Sequence, residues 1–239
     1  MRDPPSASDD AVPSADAFSQ LVTFLGTGSF TKLTASLESR LANADAADAA
    51  RVIEEAGLVE DLFSAALLVR SQIGRLNDLI HATAISLALP TLLEPGERLA
   101  KRPSLASGND PSRQFDLQTT HRVAEFKLAL WSGTDAMRKR ATFHDLVHLA
   151  AHQGPERAEL YVVGPKPIRF LRTSRSSAAW AMNRGSETTR ALFEERFGSP
   201  DMTIRDFVAG PAAHVRLIDI TEILPGARTA LNGGEVSLA

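Results

Sequence analysis

The stretch Phe115-Asp-Leu-Gln-Thr-Thr-His-Arg-Val-Ala-Glu-Phe-Lys127 decides how the rest of this chain is read. Apolar and polar residues alternate on either side of Thr120 and His121, as in two strands folded back on one another. A turn there sets Asp116 opposite Glu125, Leu117 opposite Ala124 and Phe115 opposite Phe126. A two- or a four-residue turn keeps the same register. Side chains alternate between the faces of a strand. Asp116, Gln118, Val123, Glu125 and Lys127 then share one face; Phe115, Leu117, Ala124, Phe126 and Leu128 share the other. The apolar face can pack on a helix. The polar face gathers two carboxylates and an ammonium, with opposed β-carbons roughly 4.5–5.5 Å apart.

That grouping has a chemistry. Two carboxylates this close repel when both are ionised, so the pair favours a cation. Their oxygens, with the backbone carbonyl of Phe126, suit Mg²⁺, or Mn²⁺ in its place. A lysine beside the metal can orient or deprotonate a water, while the metal polarises a phosphodiester. Phosphodiester hydrolysis uses all three groups. The same alternation also fits the wet face of a half-exposed sheet, with Glu125 and Lys127 a weak surface pair.

Outward from the hairpin, the order of elements reads as α/β. Residues 1–14, rich in Pro, Ser, Asp and Ala, read as a disordered tail. A helical N-terminal extension follows over 15–57. Phe18, Leu21, Val22 and Leu25 share a face in its first helix; the second covers Phe30–Leu41, and the third covers Ala46–Ala56 and ends at Gly57. From Leu58 a stripe of Leu62, Ala66, Val69, Ile73, Leu76, Ile80 and Leu87 predicts one long helix, bent at Gly74 and stopped near Pro90. The stripe is core, or in part the seam of a homodimer. Glu94–Arg113 is a Pro- and Gly-bearing loop. After the hairpin come a helix over 134–152 and a strand at Glu159–Val163. Short helices over Lys166–Arg172 and Ser176–Asn183, a firmer one at Glu187–Phe197 and a strand at Val215–Ile220 complete the pattern.

Composition bounds the classes. The chain has 239 residues, 44% hydrophobic and 23% charged, which is enough for a large core. It has no cysteine, which excludes disulfides and Cys-based zinc sites and makes a cytoplasmic setting the default. A net charge of −3 argues against a broad DNA-coating surface but leaves a local basic cleft open. No secretory leader is expected, and the apolar run Leu79–Leu93, interrupted by His81 and Pro90, is too short to span a bilayer.

The spacing Asp116-x8-Glu125-x-Lys127, flanked by apolar residues and preceded by a helix, resembles the PD-(D/E)XK, or restriction-endonuclease-like, nuclease superfamily. The wider stretch from Ser107-Gly-Asn-Asp through Arg122-Val-Ala-Glu-Phe-Lys127 is similar to a group of uncharacterised proteins of that type. The order helix, hairpin, helix, strand also resembles the superfamily's αβββαβ core, over about Asp78–Val163. Phe115 stands where the signature has Pro. The resemblance implies a restriction-endonuclease-like domain over 58–239, with Asp116 and Glu125 as metal ligands and Lys127 serving the water. The implied substrate is nucleic acid, DNA first. It also implies a further acid on the preceding helix, for which Asp78, Glu94 and Glu97 are candidates, and a polar or basic residue on the following helix. Arg138, Lys139 and Arg140 are placed there to touch phosphate, and Gln118 is a further contact on the hairpin.

Other features are weaker. Lys166, Arg169, Arg172 and Arg175 make a basic line that suits a phosphate backbone or plain solubility. His144, His148 and His152 share a helix face, but the Glu of a His-Glu-x-x-His site is missing, so satisfied histidines are expected. His121 reads as a turn residue, Tyr161 and Trp180 as core, and Ser186 as a helix cap. Two rivals stand beside the nuclease: a binding module on the same fold that lacks turnover, and an interaction protein built on the N-terminal helices.

Overall fold

The computed structural model describes residues 14–42, 44–105, 114–131 and 135–228. The expected tail before residue 14, the resemblance at residues 107–110 and the turn at 132–134 lie outside the described residues. The chain divides into two compact units, Met1–Leu76 and Asn77–Ala239.

The first unit is helical: α1 (Ser14–Gly26), α2 (Phe30–Leu41), α3 (Ala46–Glu55) and α4 (Glu60–Ile73). Ser29 and Asp45 cap α2 and α3 by accepting from the Lys32 and Asp48 backbone N–H. Gly57, at φ +69°, follows α3 in the left-handed conformation that a helix stop favours. α1 packs on α4 through Ala17, Ala65 and Val69, with Leu21 and Leu68 beside them. The expected face of α1 is therefore corrected. Ala17 and Leu21, one turn apart, face the core, and Phe18, Val22 and Leu25 are exposed. The small Ala17 lets the two backbones approach.

The predicted long helix is two helices. α4 ends at Ile73, and α5 (Leu76–Leu92) begins after Gly74 and Arg75. Glycine is among the poorest helix formers. α4 buries Leu62 and Val69; α5 buries His81, Ile85, Ala88 and Leu92. His81 stands twelve residues after Val69, about a third of a turn out of phase with it. One continuous stripe would have buried Leu76, Ile80 and Leu87, yet they are 45%, 42% and 60% exposed. α5 ends at Leu92, near Pro90 as expected; Pro90 lies inside its last turn, where it removes one i→i−4 bond, and Leu93 N–H still donates to Leu89 O.

The second unit is a mixed α/β layer structure with a small four-stranded sheet flanked by helices. Its strands are β1 (Leu117–Gln118), β2 (Arg122–Lys127), β3 (Arg157–Val162) and β4 (Arg216–Asp219), in the order β1-β2-β3-β4. β1 and β2 are antiparallel with Leu117 opposite Ala124, the register read from the sequence. β2–β3 and β3–β4 are parallel. The crossover between β2 and β3 is α6 (Ala136–Ala150). Between β3 and β4 lie α7 (Pro165–Thr173), α8 (Ala178–Met182), α9 (Glu187–Phe197) and α10 (Ile204–Ala209). Gly164, at φ +75°, makes the sharp entry to α7, and its N–H donates to Asp219 Oδ1 at the end of β4.

Both faces of the sheet are covered, as parallel strands require. Leu117, Ala124, Phe126, Tyr161 and Val163 pack on Ile85, Ala88 and Leu92 of α5. Val123, Ala158, Leu160 and Val162 pack on the opposite side with Phe143, Leu146 and Val147 of α6 and with α7–α10. The alternative of a wet hairpin face does not hold: Val123 is fully buried, and the face that bears Glu125 and Lys127 lies under α6.

Candidate active site

β1 begins only at Leu117, so Phe115 and Asp116 precede the ladder and need not alternate with it. Phe115 leaves the expected face and stands edge-on to the His152 ring at 5.4 Å, in the same cluster as Val123. Asp116 turns in toward β2. Its Oδ2 accepts from the Phe126 N–H at 3.0 Å, and its Oδ1 lies 3.4 Å from His81 Nε2 on α5. A residue in a strand sends its N–H and C=O to the same side. The Phe126 carbonyl therefore faces the edge that Asp116 occupies.

Glu125 lies beside Asp116, close enough for the two carboxyls to shift one another. Burial first, and the Asp116 charge second, push the Glu125 carboxyl well above its ordinary range. Burial also works to raise Asp116, but the His81 ring, the Phe126 N–H and Glu125 outweigh it and hold Asp116 below the usual carboxylate value. Lys127 follows on the same face; its side chain is 34% exposed and its Nζ is 2.6 Å from Asp145 Oδ2 on α6.

Asp116, Glu125, Phe126 and Lys127 are thus brought together, and His81 joins them unforeseen. Asp78 is half-buried on α5, nearly one turn before His81. Glu94 and Glu97, the other acids expected as extra ligands, do not join them and lie at the other end of β2, roughly 13 Å of strand away. There Arg122 donates Nε and Nη2 to the two oxygens of Glu97, each at 2.7 Å, and Nη1 to Glu159 at 3.0 Å. The Tyr161 hydroxyl donates to Glu159 at 2.6 Å, and Arg157 pairs with Glu94 at 2.7 Å. Arg122 first, then the Glu94 N–H and Thr119, hold Glu97 down to about 2 despite its burial. Ligand atoms of Glu94, Glu97 and His121 lie within 4.8 Å of one another. The guanidinium groups already neutralise that cluster, so it is an ion-pair network and not a cation site.

Gln118 is half-buried opposite Val123. Arg138 donates to Leu130 O at 2.7 Å and to Asp135 at 2.8 Å, which ties α6 to the segment after β2. Lys139 Nζ sits 5.6 Å over the Phe170 ring, and the Arg140 guanidinium 4.5 Å over Trp180. His144, His148 and His152 have separate partners: Ala181 O at 2.8 Å, Thr189 Oγ1 at 3.1 Å and Glu156 at 3.0 Å. Burial holds His144 and His148 below the usual imidazole range. Ser186 caps α9, as read from the sequence. Lys166, Arg169 and Arg172 are exposed on α7, while Arg175 falls beyond its end.

A cleft of about 740 Å³ runs along β4 between Arg172, Arg216, Glu222 and Thr91, and neither Asp116 nor Glu125 lines it. His81 carried a signal in the sequence: a polar side chain four residues before Ile85, on the inner face of an otherwise apolar helix. Compared with protein-family models, curated proteins and solved structures, the chain gives no match.

Proposed function

We propose that this chain is a divalent-metal-dependent nuclease of restriction-endonuclease-like fold that hydrolyses nucleic-acid phosphodiester bonds, with DNA the first substrate to test. The observation that carries the reading is the Asp116–Glu125 pair, two neighbouring carboxyls behind one hairpin edge, of which burial and the Asp116 charge push Glu125 well above its ordinary range. The donors around it fit a cation. Asp116 and Glu125 would hold Mg²⁺ or Mn²⁺ together with the Phe126 carbonyl. His81 Nε2 is buried without a hydrogen-bond partner beside Asp116, and such a nitrogen favours Mn²⁺ over Mg²⁺. When bound, the metal supplies Lewis-acid polarisation and a more acidic water.

The protein's own groups supply the rest. Asp116 is held below the usual carboxylate value by the His81 ring and the Phe126 N–H, against its burial. Glu125 would join it as the second carboxylate ligand. Lys127, on the same face as Glu125, can hold a water or a phosphate oxygen through a charge-assisted hydrogen bond. The fold supports the finer assignment. α5, a segment bridged to β1 through Leu99 and Thr119, the β1–β2 hairpin, α6 and β3 follow the order αβββαβ, with the first strand reduced to a bridge. A binding module on the same fold is the second reading, and the cleft of about 740 Å³ along β4, which neither Asp116 nor Glu125 lines, favours it.

The test is incubation with supercoiled plasmid, linear duplex and single-stranded RNA in Mg²⁺, Mn²⁺ or EDTA, beside Lys127→Ala. Cutting that needs metal and disappears in the variant is the expected outcome. Equal inertness of both proteins on every substrate would leave the binding module.

A further inference from the structure

Asp145 lies between His144 and Leu146 on α6, and its Oδ2 is 2.6 Å from Lys127 Nζ. That oxygen is buried, and no hydrogen bond from any other described residue reaches it. A carboxylate oxygen stripped of water is costly unless a charge answers it. Withdrawal of Lys127 would leave Asp145 in that state. Ion pairs such as Arg51–Glu55 differ, because both partners stay in water. Asp145 cannot follow a wandering lysine either. Phe143, Leu146 and Val147 on either side of it are fully buried against the sheet, and His144 is tied to Ala181 O. A free lysine stem holds about 2 kcal/mol of rotamer entropy, so an ammonium is placed only if something holds it.

We propose that Asp145 is a positioning residue that fixes the Lys127 ammonium beside the Asp116–Glu125 pair. Its consequence for turnover rests on the nuclease reading; the hold on Lys127 does not. Asp145 acts through Lys127 alone.

The test uses the full chain with Asp145→Asn, which keeps the shape and removes the charge, and Asp145→Glu, which keeps the charge on a longer stem. In the first arm, lysines are acylated with an N-hydroxysuccinimide ester and mapped by mass spectrometry, with exposed Lys101 as reference. Lys127 in Asp145→Asn should label about fivefold faster relative to Lys101 than in the wild type, as a freed side chain would. An unchanged ratio overturns the proposal. In the second arm, kcat should fall about tenfold or more, with KM and calorimetric Mn²⁺ affinity within about twofold of wild type. Asp145→Glu should recover part of kcat. No recovery in Asp145→Glu, or a loss confined to KM or to metal affinity, overturns it. A wild type inert in every metal would sink the nuclease reading instead, and the labelling ratio would still decide whether Asp145 holds Lys127.

Discussion

Arg122 is the residue on which most buried charge depends. It answers Glu97 and Glu159, whose side chains have no exposure, and its own is 5% exposed. Arg122→Ala would leave Glu97 with no guanidinium partner and Glu159 to Arg216 and the Tyr161 hydroxyl, so urea denaturation should show a loss of about 3–5 kcal/mol. Glu97 gives the network a pH signature. Its folded value is about 2, below the ordinary 4.5. The stabilisation is therefore complete above the unfolded value and is lost as pH falls from about 4.5 toward 2. Denaturation midpoints of the wild type should drop across that window, and Glu97→Gln should flatten the drop; identical slopes would contradict the assignment. At this scale the sequence was only partly legible. Asp116, Glu125 and Lys127 could be picked out because strand alternation and a hairpin register are local properties. Asp145 could not, and His81 showed only as a polar residue on an apolar helix face, because each meets its partner across packed layers: His81 is 35 residues before Asp116 and Asp145 is 18 after Lys127.

Among the elements, α5 does two jobs with one face. His81, Ile85, Ala88 and Leu92 lie along it, so the residues that seat the helix on the sheet also aim the imidazole at Asp116. Ile85→Ala should cost about 2–5 kcal/mol and also weaken metal binding, although Ile85 touches no ligand. Leu79→Ala on the outer face, where Leu79 is 63% exposed, should change stability by less than about 0.5 kcal/mol and leave metal affinity alone. Equal effects of the two variants on calorimetric metal affinity would break the link between helix seating and the site. The sequence carried the strands and most helices here, including the Leu117–Ala124 register, because short-range periodicity encodes them. It misled where two helices join. Apolar residues continue through Gly74 at helical steps, and only the tertiary partners of α4 and α5 reveal that the inner face changes phase. It also could not show that α6 would cover the polar face of the hairpin, since a buried Glu125 and a wet one read alike.

On the scale of the whole molecule, the two units differ in how much they bury. Met1–Leu76 is centred on Ala17, Ala65 and Val69, whereas Asn77–Ala239 has a covered sheet with fully buried Leu160, Phe143, Phe193 and Phe207. Native-state hydrogen exchange should therefore show amides of α1–α4 opening at low free energy, while those of β2 and β3 exchange only on global unfolding. Uniform protection would contradict that division. The second unit is also where the chemistry is concentrated, with the Asp116–Glu125 pair at one end of β2 and the Arg122 network at the other. The most direct test of the pair is calorimetric titration of Mn²⁺ into wild type and Asp116→Asn, repeated in buffers of different ionisation enthalpy. The account predicts saturable binding by the wild type with release of a proton from Glu125, and an affinity at least about tenfold weaker in the variant. The same weak, proton-neutral heats from both proteins would contradict it.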